Sequence, residues 1–128
     1  MSLKSGFNAV PYSIGTDIVD VARIRRSVKN KKFIERVYTV EEINYCRKMK
    51  NSAQHFAVRF AAKEAVWKAL SGMAIEGIGH REIGVFRLSD GRPIVQFSQR
   101  LKKFEKYITL SLSHTKEYAV AVALFFKK

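Results

Sequence analysis

The spacing of apolar residues changes period once along this chain, near its middle, and that change organises the predicted fold. Tyr12–Val19, YSIGTDIV, reads as a strand with Gly15 inside its apolar run. A glycine in such a position marks a bulge or a place where another group approaches the backbone closely. From Asp20 to Val28, Val21, Ile24 and Val28 recur at helical spacing and leave Arg23, Arg25 and Arg26 toward solvent. Phe33–Tyr38 predicts a further helical turn or two. Thr39 is followed three residues later by Glu42, a capping box that opens the helix TVEEINYCRKMK. The longest helical stretch runs from Ala53 to Leu70, with Ser71 and Gly72 as its stop and Gly77–Gly79 as a loop.

The second half alternates. Glu82–Leu88 and Pro93–Phe97 form two strands around the hairpin signal Asp90-Gly91, and Pro93 belongs at an edge or at a strand's first residue. Ser98–Lys106 predicts a short basic helix. Ile108–Ser113 and Tyr118–Phe126 are two more strands, joined by the polar turn His114-Thr115-Lys116-Glu117. Helices crowd the first half and strands the second, so the expected class is α+β rather than alternating βαβ. Residues 1–11 read as a lead-in ending at Pro11, and 12–128 as a single domain, with no internal repeat, low-complexity tract or linker. At 128 residues, such a domain buries roughly two-thirds of its unfolded surface.

Composition narrows the function classes. The chain is 47% hydrophobic, which is a globular value, and carries 24 Lys and Arg against 11 Asp and Glu, a net charge of +13. Its single cysteine, Cys46, excludes a disulfide scaffold or a cysteine-based structural zinc site and fits a reducing cytoplasm. No apolar run is long enough to span a membrane, and only a broken one follows Lys4, so no secretory signal is expected. The charge predicts an acidic partner: a nucleic acid, an anionic membrane surface, a phosphorylated ligand or an acidic protein.

Three places could carry chemistry. Asp17 is an acid on an apolar strand, which needs a cation, a metal or a helix N-terminus to hold it. The helix segment RFAAKEAVWKAL, Arg59–Leu70, puts His55, Arg59 and Lys63 along one stripe and Glu64 over Lys68 along the next, with Phe56, Phe60 and Trp67 facing the core. Glu64 and Lys68 could be a solvated ion pair. The cations Arg59, Lys63 and Lys68 beside one acid, on a helix otherwise made of core residues, also suit a polyphosphate held with one divalent metal. Ser113 and His114 are neighbours on a strand and point to opposite faces, and no G-x-S-x-G elbow exists, so a serine hydrolase is rejected. P-loop and dinucleotide-fold glycine patterns are missing, and His55, His80 and His114 lack metal-ligand spacing. The basic run Arg23–Arg36 is a solvated face or a docking surface. A nucleic-acid-binding module is the rival reading, though it leaves Asp17 and Glu64 without a role.

Ile14-Gly15-Thr16-Asp17-Ile18-Val19, Arg23-Ile24, Arg59-Phe60-Ala61-Ala62-Lys63-Glu64-Ala65 with Lys68, and Ser113-His114-Thr115-Lys116-Glu117-Tyr118-Ala119 together resemble the holo-acyl-carrier-protein synthase family, the short single-domain branch of the phosphopantetheinyl transferases. The resemblance implies an antiparallel sheet packed on a long central helix with shorter helices around it. It also implies Mg²⁺-dependent transfer of 4′-phosphopantetheine from coenzyme A to a serine of apo acyl carrier protein in fatty acid biosynthesis, releasing adenosine 3′,5′-bisphosphate. A cytoplasmic homotrimer with sites at subunit interfaces belongs to the same implication, with no membrane or specific nucleic acid as partner. Carried over by position, Asp17 and Glu64 would hold Mg²⁺, Lys68 would contact the pyrophosphate, and Arg59 and His114 would serve the coenzyme A phosphates with Thr115 nearby. Glu64 and Lys68 would be the catalytic pair, with Glu64 or a metal-held water taking the serine proton. Arg23, with Arg25 and Arg26, would meet the acidic carrier protein. Two places depart from the pattern: Ser71-Gly72-Met73 stands where the family has a Gly-Thr-Gly-like turn, and Trp67 precedes Lys68.

Overall fold

The computed structural model describes residues 11–127. In chain order the elements are β1 (Tyr12–Asp20), α1 (Val21–Ser27), α2 (Lys31–Val37), α3 (Val40–Lys48), α4 (Ser52–Gly72), β2 (Ile83–Arg87), β3 (Pro93–Phe97), β4 (Ile108–His114) and β5 (Tyr118–Phe126). This is the expected α+β arrangement of antiparallel sheets on a long helix. The lead-in expected over residues 1–11 lies, apart from Pro11, outside the described residues.

The main sheet has the order β1-β5-β4, all antiparallel, and β2 and β3 form a separate hairpin. β1 pairs with β5 along its full length, from Tyr12 opposite Phe126 to Asp20 opposite Tyr118. The register runs straight through Gly15, so no bulge forms there; the alternative reading, close approach, is the correct one. A Cβ on Gly15 would lie 1.9 Å from the Ala65 carbonyl oxygen and 2.7 Å from the Ala69 nitrogen. Helix α4 therefore rests directly on β1. Small residues make this possible on both sides: Ala61, Ala62, Ala65 and Ala69 of α4 and Ala119, Ala121 and Ala123 of β5 are all fully buried. Such close packing maximises dispersion contacts between backbones.

Local chemistry sets the element ends. Asp20 caps α1, accepting from the Ala22 nitrogen at 2.8 Å, so the capping role open to Asp17 falls to Asp20 instead. Thr39 and Glu42 form the expected reciprocal capping box of α3. Helix α4 ends just past Gly72, where Ala74 adopts a φ of 61° and the Ile75 nitrogen donates to the Leu70 carbonyl. In the β2–β3 hairpin Gly91 takes a φ of 91°, which a residue without Cβ accepts readily, and Pro93 is the first residue of β3.

Two expectations fail here for packing reasons. The predicted helix over Ser98–Lys106 is a 3₁₀ helix, Gln99–Tyr107. Its inward residues Leu101, Phe104 and Tyr107 recur every third position, the repeat of a 3₁₀ helix, and Phe104 and Tyr107 both pack on Phe125. Trp67, expected in the core, is 40% exposed. Apolar residues run nearly all round α4, so periodicity alone does not identify its one open side.

Candidate active site

Two elements carry the acids to one place. On β1, Ser13, Gly15, Asp17 and Val19 occupy the face toward α4, and Tyr12, Ile14, Thr16 and Ile18 the opposite one. Asp17 therefore projects beside the helix that carries Glu64 and Lys68. The Lys68 ammonium donates to the Thr16 carbonyl at 2.9 Å and to Asp17 Oδ1 at 3.3 Å. Glu64 does not pair with Lys68, contrary to the simple helical ion pair; its Oε1 lies 2.8 Å from His80 Nε2. Thr16, Asp17, Ile18, Lys68 and Val120 line a shallow pocket of about 220 Å³ at this point.

The Asp17 carboxyl feels both of its charged neighbours on α4. Burial raises the Asp17 carboxyl above its ordinary range, the Lys68 hydrogen bond and charge oppose that rise, and the Glu64 charge adds to it. Lys68 touches Asp17 directly, and Glu64 stands one helical turn before Lys68 on α4. Among the described residues no group of three or more His, Cys, Asp or Glu gathers as a metal cage. Two carboxylates without a third protein ligand suit Mg²⁺, which typically binds one or two carboxylates and completes its shell with phosphate oxygens and water. The donor set fits that metal.

A second cluster lies further along α4. His55, Arg59, Arg87 and His114 line a pocket of about 230 Å³ together with Tyr45, Gln54 and Val58. Arg59 is buried; its guanidinium stacks 4.4 Å from the centre of the Tyr45 ring, Nη1 donates to the His55 carbonyl, and Nε has no hydrogen-bond partner. Burial lowers the His55 pKa, and the charges of Arg59, His114 and Arg87 lower it further. Two arginines and two histidines around one pocket give it a lining that suits an anion. Arg87 and His55 were not singled out as anion ligands from sequence: Arg87 ends a strand in the other half of the chain, with no local signal pointing to the pocket.

The expected residues thus divide into two groups. Asp17, Glu64 and Lys68 form one, and Arg59 and His114 the other, with Arg59 and Lys68 about 14 Å apart along the helix axis at 1.5 Å per residue. Thr115 is occupied in its own turn, its hydroxyl accepting from the Glu117 and Tyr118 nitrogens. Lys63, expected on the phosphate stripe beside Arg59, is instead fully buried against Glu42 at 2.6 Å. A lysine enclosed in this way cannot reach a solvent-borne ligand, so it leaves the candidate set. Arg23, Arg25 and Arg26 are exposed on α1, and the Arg23 guanidinium sits 6.0 Å from the centre of the Phe60 ring, close to the carboxylate cluster.

Known proteins show the family to which the chain is similar. The family model for the 4′-phosphopantetheinyl transferase superfamily matches residues 13–123. A holo-[acyl-carrier-protein] synthase of Ruminiclostridium cellulolyticum is 42% identical over 119 residues, covering 87% of this chain and 89% of that protein. Among solved structures, the holo-[acyl-carrier-protein] synthase of Neisseria meningitidis matches with a TM-score of 0.78 at 31% identity, over 90% of this chain and 98% of that one. The holo-(acyl-carrier-protein) synthase of Bacillus anthracis, in complex with CoA (3′,5′-ADP), matches with a TM-score of 0.73 at 31% identity, over 91% and 96% of the two chains.

Proposed function

The chain belongs to the 4′-phosphopantetheinyl transferase superfamily as a transferase of the holo-[acyl-carrier-protein] synthase type, and on that premise we propose that it moves 4′-phosphopantetheine from coenzyme A to a serine of apo acyl carrier protein. The observation that carries the reading is the contact of Asp17 on β1 with Lys68 on α4, one helical turn from Glu64. In the reaction the serine oxygen bonds to the pantetheine-side phosphorus, the bond from that phosphorus to the bridging oxygen breaks, and adenosine 3′,5′-bisphosphate leaves. Asp17 and Glu64 would hold Mg²⁺, whose contribution when bound is to polarise phosphate oxygens and offset their charge. Lys68, already oriented by the Thr16 carbonyl, neutralises charge on the leaving pyrophosphate oxygen. The serine proton would pass to Glu64 or to a water in the site. Phosphoryl transfers of this kind depend chiefly on positioning and charge stabilisation.

Arg59 and His114, joined by Arg87 and His55, serve the remaining phosphate of coenzyme A. The distance of Arg59 from Lys68 along α4 supports a site shared between subunits, in which one subunit's carboxylates face its neighbour's basic pocket. The outer face of the main sheet supports the homotrimer that this requires: Ile14 and Ile18 are 62% and 65% exposed, with Val122 and Phe126 beside them. That much exposed apolar surface on one face is the mark of an interface. Arg23, Arg25 and Arg26 would receive the acidic carrier protein. Residues 12–128 act as one domain, supported by a buried cluster that draws on both sheets and α4. Among the described residues no helix is long and apolar enough to cross a membrane, and we place the enzyme in the cytoplasm.

Mass spectrometry of apo acyl carrier protein incubated with this protein, coenzyme A and Mg²⁺ tests the reading. The expected result is a gain of one phosphopantetheine that chelation abolishes. An unchanged mass with folded components would overturn it.

A further inference from the structure

We propose that His80 is a positioning residue that fixes the Glu64 carboxylate for metal binding; this rests on the metal site proposed above. His80 lies in a 3₁₀ turn, His80–Glu82, between α4 and β2, far from Glu64 in sequence. Nothing in the chain pattern links the two. In the fold, Nε2 of His80 stands 2.8 Å from Glu64 Oε1, and because an ionised carboxylate only accepts, the imidazole supplies the N–H.

The histidine is itself held at both ends. Its ring lies flat over Phe60, with centroids 6.0 Å apart and planes within 7° of parallel. Its carbonyl oxygen accepts a 3.0 Å hydrogen bond from the buried Lys63 ammonium, which is locked in turn against Glu42. The turn cannot shift without breaking its hydrogen bond from the buried Lys63 ammonium, and the ring cannot rotate away without leaving Phe60. Among the described residues no hydrogen bond occupies the other Glu64 oxygen, Oε2. One oxygen is thus anchored while the second remains available to a ligand. Held this way, the carboxylate enters metal binding with one rotamer already selected, so less side-chain entropy is lost. Groups that hydrogen-bond to ligating side chains set metal affinity, and their loss typically weakens binding about 10- to 100-fold.

The test compares His80→Phe, which keeps the flat stack on Phe60 but lacks a donor, with His80→Gln, whose amide nitrogen restores one near the position of Nε2. Mn²⁺ binding to each purified protein, read by electron paramagnetic resonance of the free ion, reports on the site without turnover. The Mg²⁺ dependence of transfer gives a second reading. Expected are a dissociation constant for Mn²⁺ raised about tenfold or more in His80→Phe and largely recovered in His80→Gln. The Mg²⁺ concentration for half-maximal rate should rise in parallel, with the KM for carrier protein unchanged. Folded His80→Phe that binds Mn²⁺ as tightly as the parent overturns the role of His80 while leaving the metal site standing. A parent protein that binds no Mn²⁺, with or without coenzyme A, overturns the metal site itself and this inference with it.

Discussion

On helix α4, Lys63 and Lys68 stand five residues apart and differ in almost everything around them. The Lys63 side chain is 0% exposed and its ammonium meets Glu42, the His80 carbonyl and the Ile83 carbonyl, three acceptors for three donors. Glu42 is equally complete, since its oxygens also accept from the Thr39 and Val85 nitrogens. The Lys68 side chain is 45% exposed and holds Asp17 at 3.3 Å. One lysine joins α3, α4 and β2 and has nothing left to give a ligand; the other is loosely held at a surface where an anion can take over its charge. The difference shows that a cation's role here follows from how completely its donors are matched, and charge type alone does not disclose it.

Breaking the buried pair should have the largest effect. Lys63→Met strands Glu42 in the interior and is expected to cost about 3–5 kcal/mol of stability in denaturant unfolding. Adding Glu42→Gln to that variant removes the stranded charge and recovers part of the loss. Lys68→Met should do the reverse. Unfolding free energy stays within about 1 kcal/mol of the parent, as for other exposed pairs, while kcat/KM for coenzyme A falls on the order of 10²–10³-fold, as when one charge-stabilising donor is removed.

Smaller effects sharpen the same contrast at groups exposed to solvent. Arg23→Glu with Arg26→Glu should raise the KM for carrier protein on the order of tenfold at low salt and leave that for coenzyme A unchanged, because exposed charges steer a partner more than they hold the fold. The least effect belongs to Arg100, whose hydrogen bond holds the Glu82 carboxyl down at about 2 from an ordinary 4.5. A depressed carboxyl stabilises the fold above its unfolded value and loses that contribution as pH falls through the folded one. The stability gap between the parent and Arg100→Leu should therefore be constant above pH 4.5 and close as pH drops toward 2, as followed by thermal unfolding.

Much of this was legible in the chain wherever a signal is local. The Thr39–Glu42 box, the Asp90-Gly91 turn, the strand that alternation predicts over Glu82–Leu88 and the helical run of α4 each depend on residues within a few positions, and each forms as read. Asp17, Glu64 and Lys68 were legible as candidates because polar groups stand out among core residues. Their actual partners were not. Whether Lys63 lies in a core or a phosphate site depends on Glu42 and on two carbonyls of a later turn, and His80 meets Glu64 through a crossing that no spacing rule describes. The alanines around Lys63 were the one available hint, since Ala61, Ala62 and Ala65 leave room for another element to close over that side. Trp67 was misplaced for the converse reason, as an apolar side chain on a helix with little polar surface to mark where solvent begins.

The contact at Gly15 has a further consequence. With no side chain between strand and helix, the carboxylate on one and the carboxylate and amine on the other ride on what is mechanically one plate. Ligand capture then requires no hinge between this strand and helix, and any adjustment to substrates of different bulk has to come from the rim of the pocket.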